Sequence, residues 1–167
     1  ARLDAGRVQF QFRATNVVGL LDQLEDFVAP QVDAEGRSIT IRPPTAEVTV
    51  WADEDKVRQI LVNLVSNAMK HPPSSATIEV FVEQVDTRSA GGVRICVRDN
   101  GPGIPGDKLE SIFQPFVQIG RTLNHPVEGL GLGLAIARDL ARGMEGDLTV
   151  KSDLGHGAIF VLELRRP

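Results

Sequence analysis

The order of strand-like and helix-like segments restricts this chain to a mixed α/β architecture. Runs with a period of two and runs with a period near 3.6 follow one another as strand, helix, two strands, helix, two strands, helix and two strands. This order predicts a two-layer α/β (α+β) sandwich in which a mixed sheet is covered by helices on one face. With 167 residues and 42% hydrophobic side chains, the chain can bury the core of one such domain.

The first third of the sequence predicts a strand, a helix and a hairpin. Residues 10–13 alternate weakly as a strand does, and Thr15 or Asn16 can cap the apolar helix that follows. Two β-branched runs, residues 38–42 and 48–51, are separated by two prolines and predict a hairpin. The buried stripe of the helix is expected to contain Leu20, Leu21, Leu24, Phe27 and Val28.

A second helix with two distinct faces is predicted after Asp53, a plausible N-cap. Its apolar residues share one face, and Gln59, Asn63, Asn67 and Lys70 cluster on another. The amide oxygens of the two asparagines can face a hard cation, and Lys70 offers positive charge to a phosphate. A simple solvated face is the alternative, although asparagine lowers helix propensity and suits a passive surface poorly.

A turn-forming heptad, residues 99–105, follows the strand-like run that ends at Asp99. A carboxylate at a strand end can accept a hydrogen bond from an exocyclic amine such as that of adenine, and glycines let the backbone approach a flat base. An ordinary tight turn is an equally good interpretation of this heptad alone.

Residues 113–129 have no clear period and predict a long loop of the kind that forms a lid. Gly129, Gly131 and Gly133 then stand at alternate positions ahead of a third helix, where free backbone N–H groups can cradle phosphate oxygens. Helix packing or flexibility explains most glycine-rich loops, and this one is neither a Walker loop nor a dinucleotide fingerprint.

Charge and hydropathy exclude several classes of protein. A net charge of −4 without a basic block argues against nucleic-acid binding, and no apolar stretch approaches the ~20 residues that span a bilayer. No secretory signal is visible, so we expect a cytoplasmic domain that makes no membrane contact. The single cysteine, Cys96, lies in an alternating apolar run and is expected in the core.

Five motifs in a fixed order together resemble one known family over most of the chain, from about residue 10 to residue 164. They are residues 59–71 (the N box), 99–104 (the first glycine box), 113–116 (the F box), 129–136 (the second glycine box) and 152–160 (the closing strand signature). The set is similar to the catalytic ATP-binding domain of bacterial sensor histidine kinases, which has the Bergerat fold of the GHKL superfamily. The resemblance therefore implies ATP and Mg²⁺ as cofactors.

The resemblance also implies a role for each residue. Asn67 would ligate magnesium, Asn63 and Lys70 would lie at the phosphates, His71 would lie near the ribose or base, and Asp99 would bind the adenine amino group. Phe113 and Phe116 would anchor the lid, with ordinary core packing as an equal alternative for both. Arg121 in the lid would reach the γ-phosphate, with a solvated surface charge as the alternative. The remaining implied nucleotide contacts are Gly101, Gly103, Ile104, Gly129, Leu130, Gly131, Leu132, Gly133 and Leu134. Leu130 stands where the family often has Thr or Ser, so only backbone contacts are implied there.

In function, the resemblance implies that the domain presents the γ-phosphate of ATP to a histidine on a separate dimerisation and phosphoacceptor domain, and through it serves a response regulator. Residues 1–9 resemble the linker from those helices, residues 10–167 the catalytic domain and residues 113–130 its lid. The three histidines lack the context of the family's phosphoacceptor. We therefore expect this piece not to phosphorylate itself. Because dimerisation normally resides in the helices of the separate domain, we also expect it to be monomeric; whether the full protein is anchored in the inner membrane stays open.

Three alternatives remain on sequence alone. One is a GHKL protein serine kinase of the anti-sigma-factor type, and another is a non-catalytic nucleotide-binding docking domain. The third is an ATP-hydrolysing relative of the gyrase, mismatch-repair or heat-shock type, which would carry a glutamate where this chain has Asn63.

Overall fold

A computed structural model describes residues 8–70, 77–85, 92–115 and 133–167. Seven strands, three α-helices and two short 3₁₀ segments occur in this part of the chain. In chain order they are β1 (Arg13–Asn16), α1 (Val17–Ala34), β2 (Ser38–Arg42), β3 (Thr49–Ala52), α2 (Glu54–Ala68), β4 (Thr77–Val85), β5 (Gly92–Asp99), the 3₁₀ segments Gly106–Lys108 and Ser111–Phe113, α3 (Gly133–Gly143), β6 (Asp147–Ser152) and β7 (Ala158–Arg165). No helix among the described residues is long and apolar enough to cross a membrane.

Five of the strands form one mixed sheet in the order β2-β4-β5-β7-β6. The β2–β4 pair is parallel and the other three pairs are antiparallel, while β1 and β3 form a separate antiparallel ribbon. The predicted two-layer sandwich with a mixed sheet is therefore confirmed.

Two strand predictions for the first third of the chain are wrong. β2 and β3 do not form a hairpin, because β2 pairs with β4 and β3 pairs with β1. The first strand begins at Arg13, not at residue 10. The ring of Phe10 instead packs on the backbone of Gly143 at the end of α3, so this aromatic belongs to the packing of the helix end.

One face of the sheet forms the core with the helices. Its inward residues alternate along the strands and are almost fully buried: Ile78, Val80, Val93, Ile95, Val97, Leu148, Phe160, Leu162 and Leu164. The helices contribute the complementary stripes, with Leu20, Leu21, Leu24 and Val28 from α1 and Val57, Ile60, Leu61, Leu64 and Val65 from α2. Phe27 was predicted in the α1 stripe, but it lies at the border of that stripe and is 65% exposed.

The outer face carries charged residues on either side of one apolar row. In that row Thr149, Val161, Cys96 and Phe81 are paired across β6, β7, β5 and β4. Ion pairs such as Arg98–Glu79 (2.8 Å) flank it. Cys96 is only 2% exposed, as expected, but it belongs to this outer row and not to the helix-facing core.

Asparagine and aspartate caps fix the starts of two helices. The Asn16 side chain accepts hydrogen bonds from the backbone N–H groups of Val18 and Gly19 at the start of α1. Asp53 Oδ1 accepts from the N–H groups of Asp55 and Lys56, which confirms the predicted cap of α2.

Candidate functional site

The end of α2 and the end of β5 lie at the same edge of the domain. The Arg37 guanidinium donates to the carbonyl oxygen of Ala68 in the last turn of α2 (3.4 Å). The next residue, Ser38, is paired with Thr77 at the start of β4, and the Thr77 N–H donates to Asn100 Oδ1 directly after β5 (2.8 Å). This series of contacts brings the polar face of α2 and the heptad after β5 to one edge.

Two of the predicted phosphate and cation residues stand at this end of α2. Asn67 is half-buried, and Lys70 is exposed just beyond the helix. Neither side chain makes a hydrogen bond or ion pair within the described residues. Their amide and ammonium groups are thus available to a ligand, as a hard cation and a phosphate require.

Asp99 is buried at the end of β5, with 7% of its surface exposed. Its inward position matches that of Val97 and Ile95, so it faces the helix layer. Oδ1 accepts the N–H of Gly101 (2.9 Å), and no other described residue bonds the carboxylate. A buried acceptor oxygen held in a fixed orientation is suited to an amino group of a flat base.

The start of α3 touches the polar face of α2. A Cβ on Gly133 would overlap the Asn63 side chain, with the Asn63 Cγ atom only 3.0 Å from its position. The Asn63 Nδ2 atom is buried and has no hydrogen-bond partner among the described residues. The structure therefore joins the N box to the second glycine box through one close contact that requires glycine, with an unsatisfied donor beside it.

The turn between β6 and β7 is joined to the heptad by hydrogen bonds. Ser152 Oγ accepts the N–H of Ile104 (2.8 Å) and donates to the carbonyl oxygen of Gly157 (2.6 Å). The Gly155 N–H donates to Pro102 O (2.7 Å). The sequence indicated Ser152, Gly155 and Gly157 only as parts of the closing strand signature and predicted no contact between them and the heptad.

The first phenylalanine of the F box is a core residue. Phe113 is buried and meets Phe160 edge-on, with centroids 6.3 Å apart. The Arg138 guanidinium of α3 lies 4.2 Å from the Phe113 ring centroid and donates to Glu110 (2.7 Å). That hydrogen bond and the charge of Arg138 lower the pKa of Glu110 below its usual value. Arg138 thereby joins α3 to the segment that leads into the predicted lid.

A shallow groove of about 450 Å³ runs along α2 beside α1. Its lining includes Gln59 and Asn63, which the sequence placed on the polar face. Its apolar lining comes from the exposed Phe27 of α1 and from Val62 of α2.

Several predicted contacts lie outside the described residues. They are His71, Phe116, Arg121, Gly129, Leu130, Gly131 and Leu132, together with the predicted lid apart from residues 113–115. Of the others, Gly101, Gly103 and Ile104 belong to the heptad, and Gly133 and Leu134 open α3.

The family profile for "Histidine kinase-, DNA gyrase B-, and HSP90-like ATPase" (HATPase_c) matches residues 52–167, which include α2, the heptad, α3 and the β6–β7 turn. The chain belongs to the HATPase_c family. Within that family it is an ATP-binding catalytic domain of the two-component sensor histidine kinase type.

Relatives of known function support this assignment. The chain is 31% identical over 166 residues to the autoinducer 2 sensor kinase/phosphatase LuxQ of Vibrio parahaemolyticus, covering 98% of this chain and 19% of LuxQ. It is 33% identical over 169 residues to the aerobic respiration control sensor protein ArcB of Escherichia coli, covering 99% of this chain and 21% of ArcB. The HATPase_c chain thus spans about a fifth of the length of these relatives.

Among solved structures, full-length ShkA in complex with AMPPNP superposes with a TM-score of 0.80 at 32% identity, covering 94% of this chain and 31% of ShkA. The fold of this HATPase_c domain is therefore the one that ShkA has in complex with an ATP analogue.

Proposed function

We propose that this HATPase_c domain binds Mg-ATP at the edge shared by α2 and β5 and presents the γ-phosphate to a histidine of a separate domain. One observation carries the proposal. The Asp99 carboxylate and the Asn67 amide both stand at that edge with hydrogen-bonding capacity that the described protein does not use.

The residues fit the chemistry of both cofactors. Asp99 binds the adenine amino group, and Gly101, Gly103 and Ile104 let the heptad lie along the base. Asn67 is the metal ligand, while Asn63 and Lys70 lie at the phosphates. Bound Mg²⁺ neutralises phosphate charge, which phosphoryl transfer needs more than covalent help from the protein.

Residues outside the described part complete the proposed site. His71 is assigned to the ribose or base, Phe116 and Arg121 to the lid, and Gly129, Leu130, Gly131 and Leu132 to the phosphates. Gly133 and Leu134 extend this phosphate contact into the first turn of α3, where the helix dipole favours an anion.

We infer the phosphoryl acceptor and the response regulator from the relatives. LuxQ and ArcB are sensor proteins, and the histidine kinase ThkA has been crystallised with the response regulator protein TrrA. We assign to this chain the same arrangement, in which a dimerisation and phosphoacceptor domain receives the phosphoryl group and passes it to a response regulator.

Titration with a fluorescent ATP analogue, with and without Mg²⁺, tests the site. Asp99→Asn should weaken binding roughly 10- to 100-fold, as loss of a hydrogen bond to a charged group does. Asn67→Asp should change the dependence on Mg²⁺ more than the affinity for the base. Asp107→Asn is the matched control, because that carboxylate is exposed and makes no described contact. Unchanged affinity in both site variants would refute the proposed site.

Transfer is tested with radiolabelled ATP and a separately supplied phosphoacceptor domain of a sensor kinase. Acid-labile, base-stable label on that domain supports a histidine kinase. Label on serine of a copurified protein would favour the anti-sigma-factor type of kinase instead.

A further inference from the structure

We propose that Ser152 positions the adenine-binding heptad and thereby sets selectivity for the purine, although it is not among the residues assigned to the nucleotide itself. This inference rests on the proposed function, because it assigns a support to the base half of that site. Ser152 ends β6 on the inward face, and through Ala158 of β7 it is in register with Asp99 of β5.

The Ser152 hydroxyl links two backbone segments. It accepts the N–H of Ile104, the last residue of the first glycine box, at 2.8 Å. It donates its own proton to the carbonyl oxygen of Gly157 at 2.6 Å. One side chain therefore fixes the far end of the heptad to the β6–β7 turn.

The near end of the heptad is fixed to the same turn by backbone packing. A Cβ on Gly157 would overlap the carbonyl oxygen of Asp99, and a Cβ on Gly103 would overlap that of Asp153. Both glycines have positive φ, +78° and +80°, a conformation that other residues rarely adopt. The heptad and the turn are therefore held together at both ends of the heptad, near Asp99 and at Gly103 and Ile104.

Loss of the Ser152 hydrogen bonds should weaken binding of the base and not binding of the phosphates. The heptad holds Asp99 through the Gly101 N–H, and in the proposed site it contacts only adenine. The phosphates are assigned to α2, to the start of α3 and to the glycine-rich residues before it, and within the described residues Ser152 makes no hydrogen bond to α2 or α3. Loosening the heptad should therefore weaken recognition of adenine while leaving binding of a bare polyphosphate unchanged.

The test compares the affinity of the domain for Mg-ATP with its affinity for Mg-tripolyphosphate. Ser152→Ala removes both hydrogen bonds of this hydroxyl, so we expect affinity for ATP to fall about 10-fold or more with no change for tripolyphosphate. Ser152→Thr keeps the hydroxyl and should restore ATP binding. Ser111→Ala is the control, because within the described residues its hydroxyl bonds only Lys108 O in the neighbouring 3₁₀ segment.

The outcomes separate this inference from the proposed function. Equal losses for both ligands, or no loss for ATP while the wild-type domain binds ATP, would overturn the role of Ser152 alone. A wild-type domain that binds no adenine nucleotide would overturn both. Amide hydrogen exchange at Ile104 gives a second measurement: it should accelerate in Ser152→Ala and return to the wild-type rate in Ser152→Thr.

Discussion

The backbone of Gly133 lies directly against the side-chain amide of Asn63, so the first residue of α3 and the polar face of α2 meet where no Cβ fits. Asn63, which is assigned to the phosphates, and Gly133, the last glycine of the second glycine box, thus determine each other's position.

Gly133→Ala should destabilise the domain by about 1–3 kcal/mol, because the new methyl group forces Asn63 out of its place. Urea unfolding measures this change, and affinity for Mg-ATP should fall with it. Gly19→Ala is the control: a Cβ at that helical glycine meets nothing within 4 Å, so its stability should rise by up to ~1 kcal/mol. Wild-type behaviour of Gly133→Ala would show that the contact is unimportant.

Steady-state hydrolysis of ATP by the isolated domain should be close to background. The residue one helical turn before Asn67 is Asn63, whose amide cannot take a proton from an attacking water. A coupled assay for released ADP measures the rate. Vigorous turnover that disappears in Asn67→Ala would place the domain with the hydrolysing members of the family.

Asp53→Ala should lower stability by about 1–3 kcal/mol. Besides capping α2, Asp53 accepts the N–H of Gln11 through Oδ2 (2.9 Å), so its loss leaves three backbone donors without this partner. Asp55→Ala is the comparison, since that residue lies in the same helical turn but is exposed and pairs only with Arg58. Equal effects of the two substitutions in thermal unfolding would contradict the assigned role of Asp53.

Arg138→Met should return the pKa of Glu110 to its usual range, because Arg138 is the main cause of its depression. Loss of the interaction with the Phe113 ring should also lower stability by about 0.5–2 kcal/mol. NMR titration of Glu110 measures the first effect. Arg142→Met, which removes a more exposed ion pair with Asp147, should leave the pKa of Glu110 much less changed.

Stability should decline as the pH rises from about 9 to about 11. Burial raises the pKa of the Cys96 thiol from 9.0 to about 11, so in this window the folded state retains a proton that the unfolded state has lost. The slope contributed by this group cannot exceed ~1.4 kcal/mol per pH unit. Cys96→Ala should remove this contribution, and an identical pH profile in that variant would contradict it.

Local signals predicted the helix caps and most strands correctly. The side chains of Asn16 and Asp53 accept hydrogen bonds from nearby N–H groups. β4 and β5 are runs of nine and eight residues whose side chains alternate between the two faces of the sheet. Such features depend on neighbours in sequence, so the sequence specifies them directly.

Pairings between distant segments were not predictable in the same way. β2 was assigned to its sequence neighbour β3, yet its partner β4 arrives only after α2. Phe27 has nearly the phase of the α1 stripe, and only the packing of α1 beside α2 leaves it outside the core. In the site, the sequence indicated Asn67 and Asp99 by residue type, whereas the contacts of Ser152 and Gly133 depend on tertiary packing.

The position of β7 affects how this domain is made on the ribosome. β7 is the last strand of the domain to be synthesised, yet it lies between β5 and β6 in the interior of the sheet. Until residues 158–165 have emerged, β5 has one unpaired edge and β6 has no partner at all. Nascent chains that end before residue 158 should therefore be protease-sensitive, and the domain should become resistant only once residues 158–165 have left the ribosome.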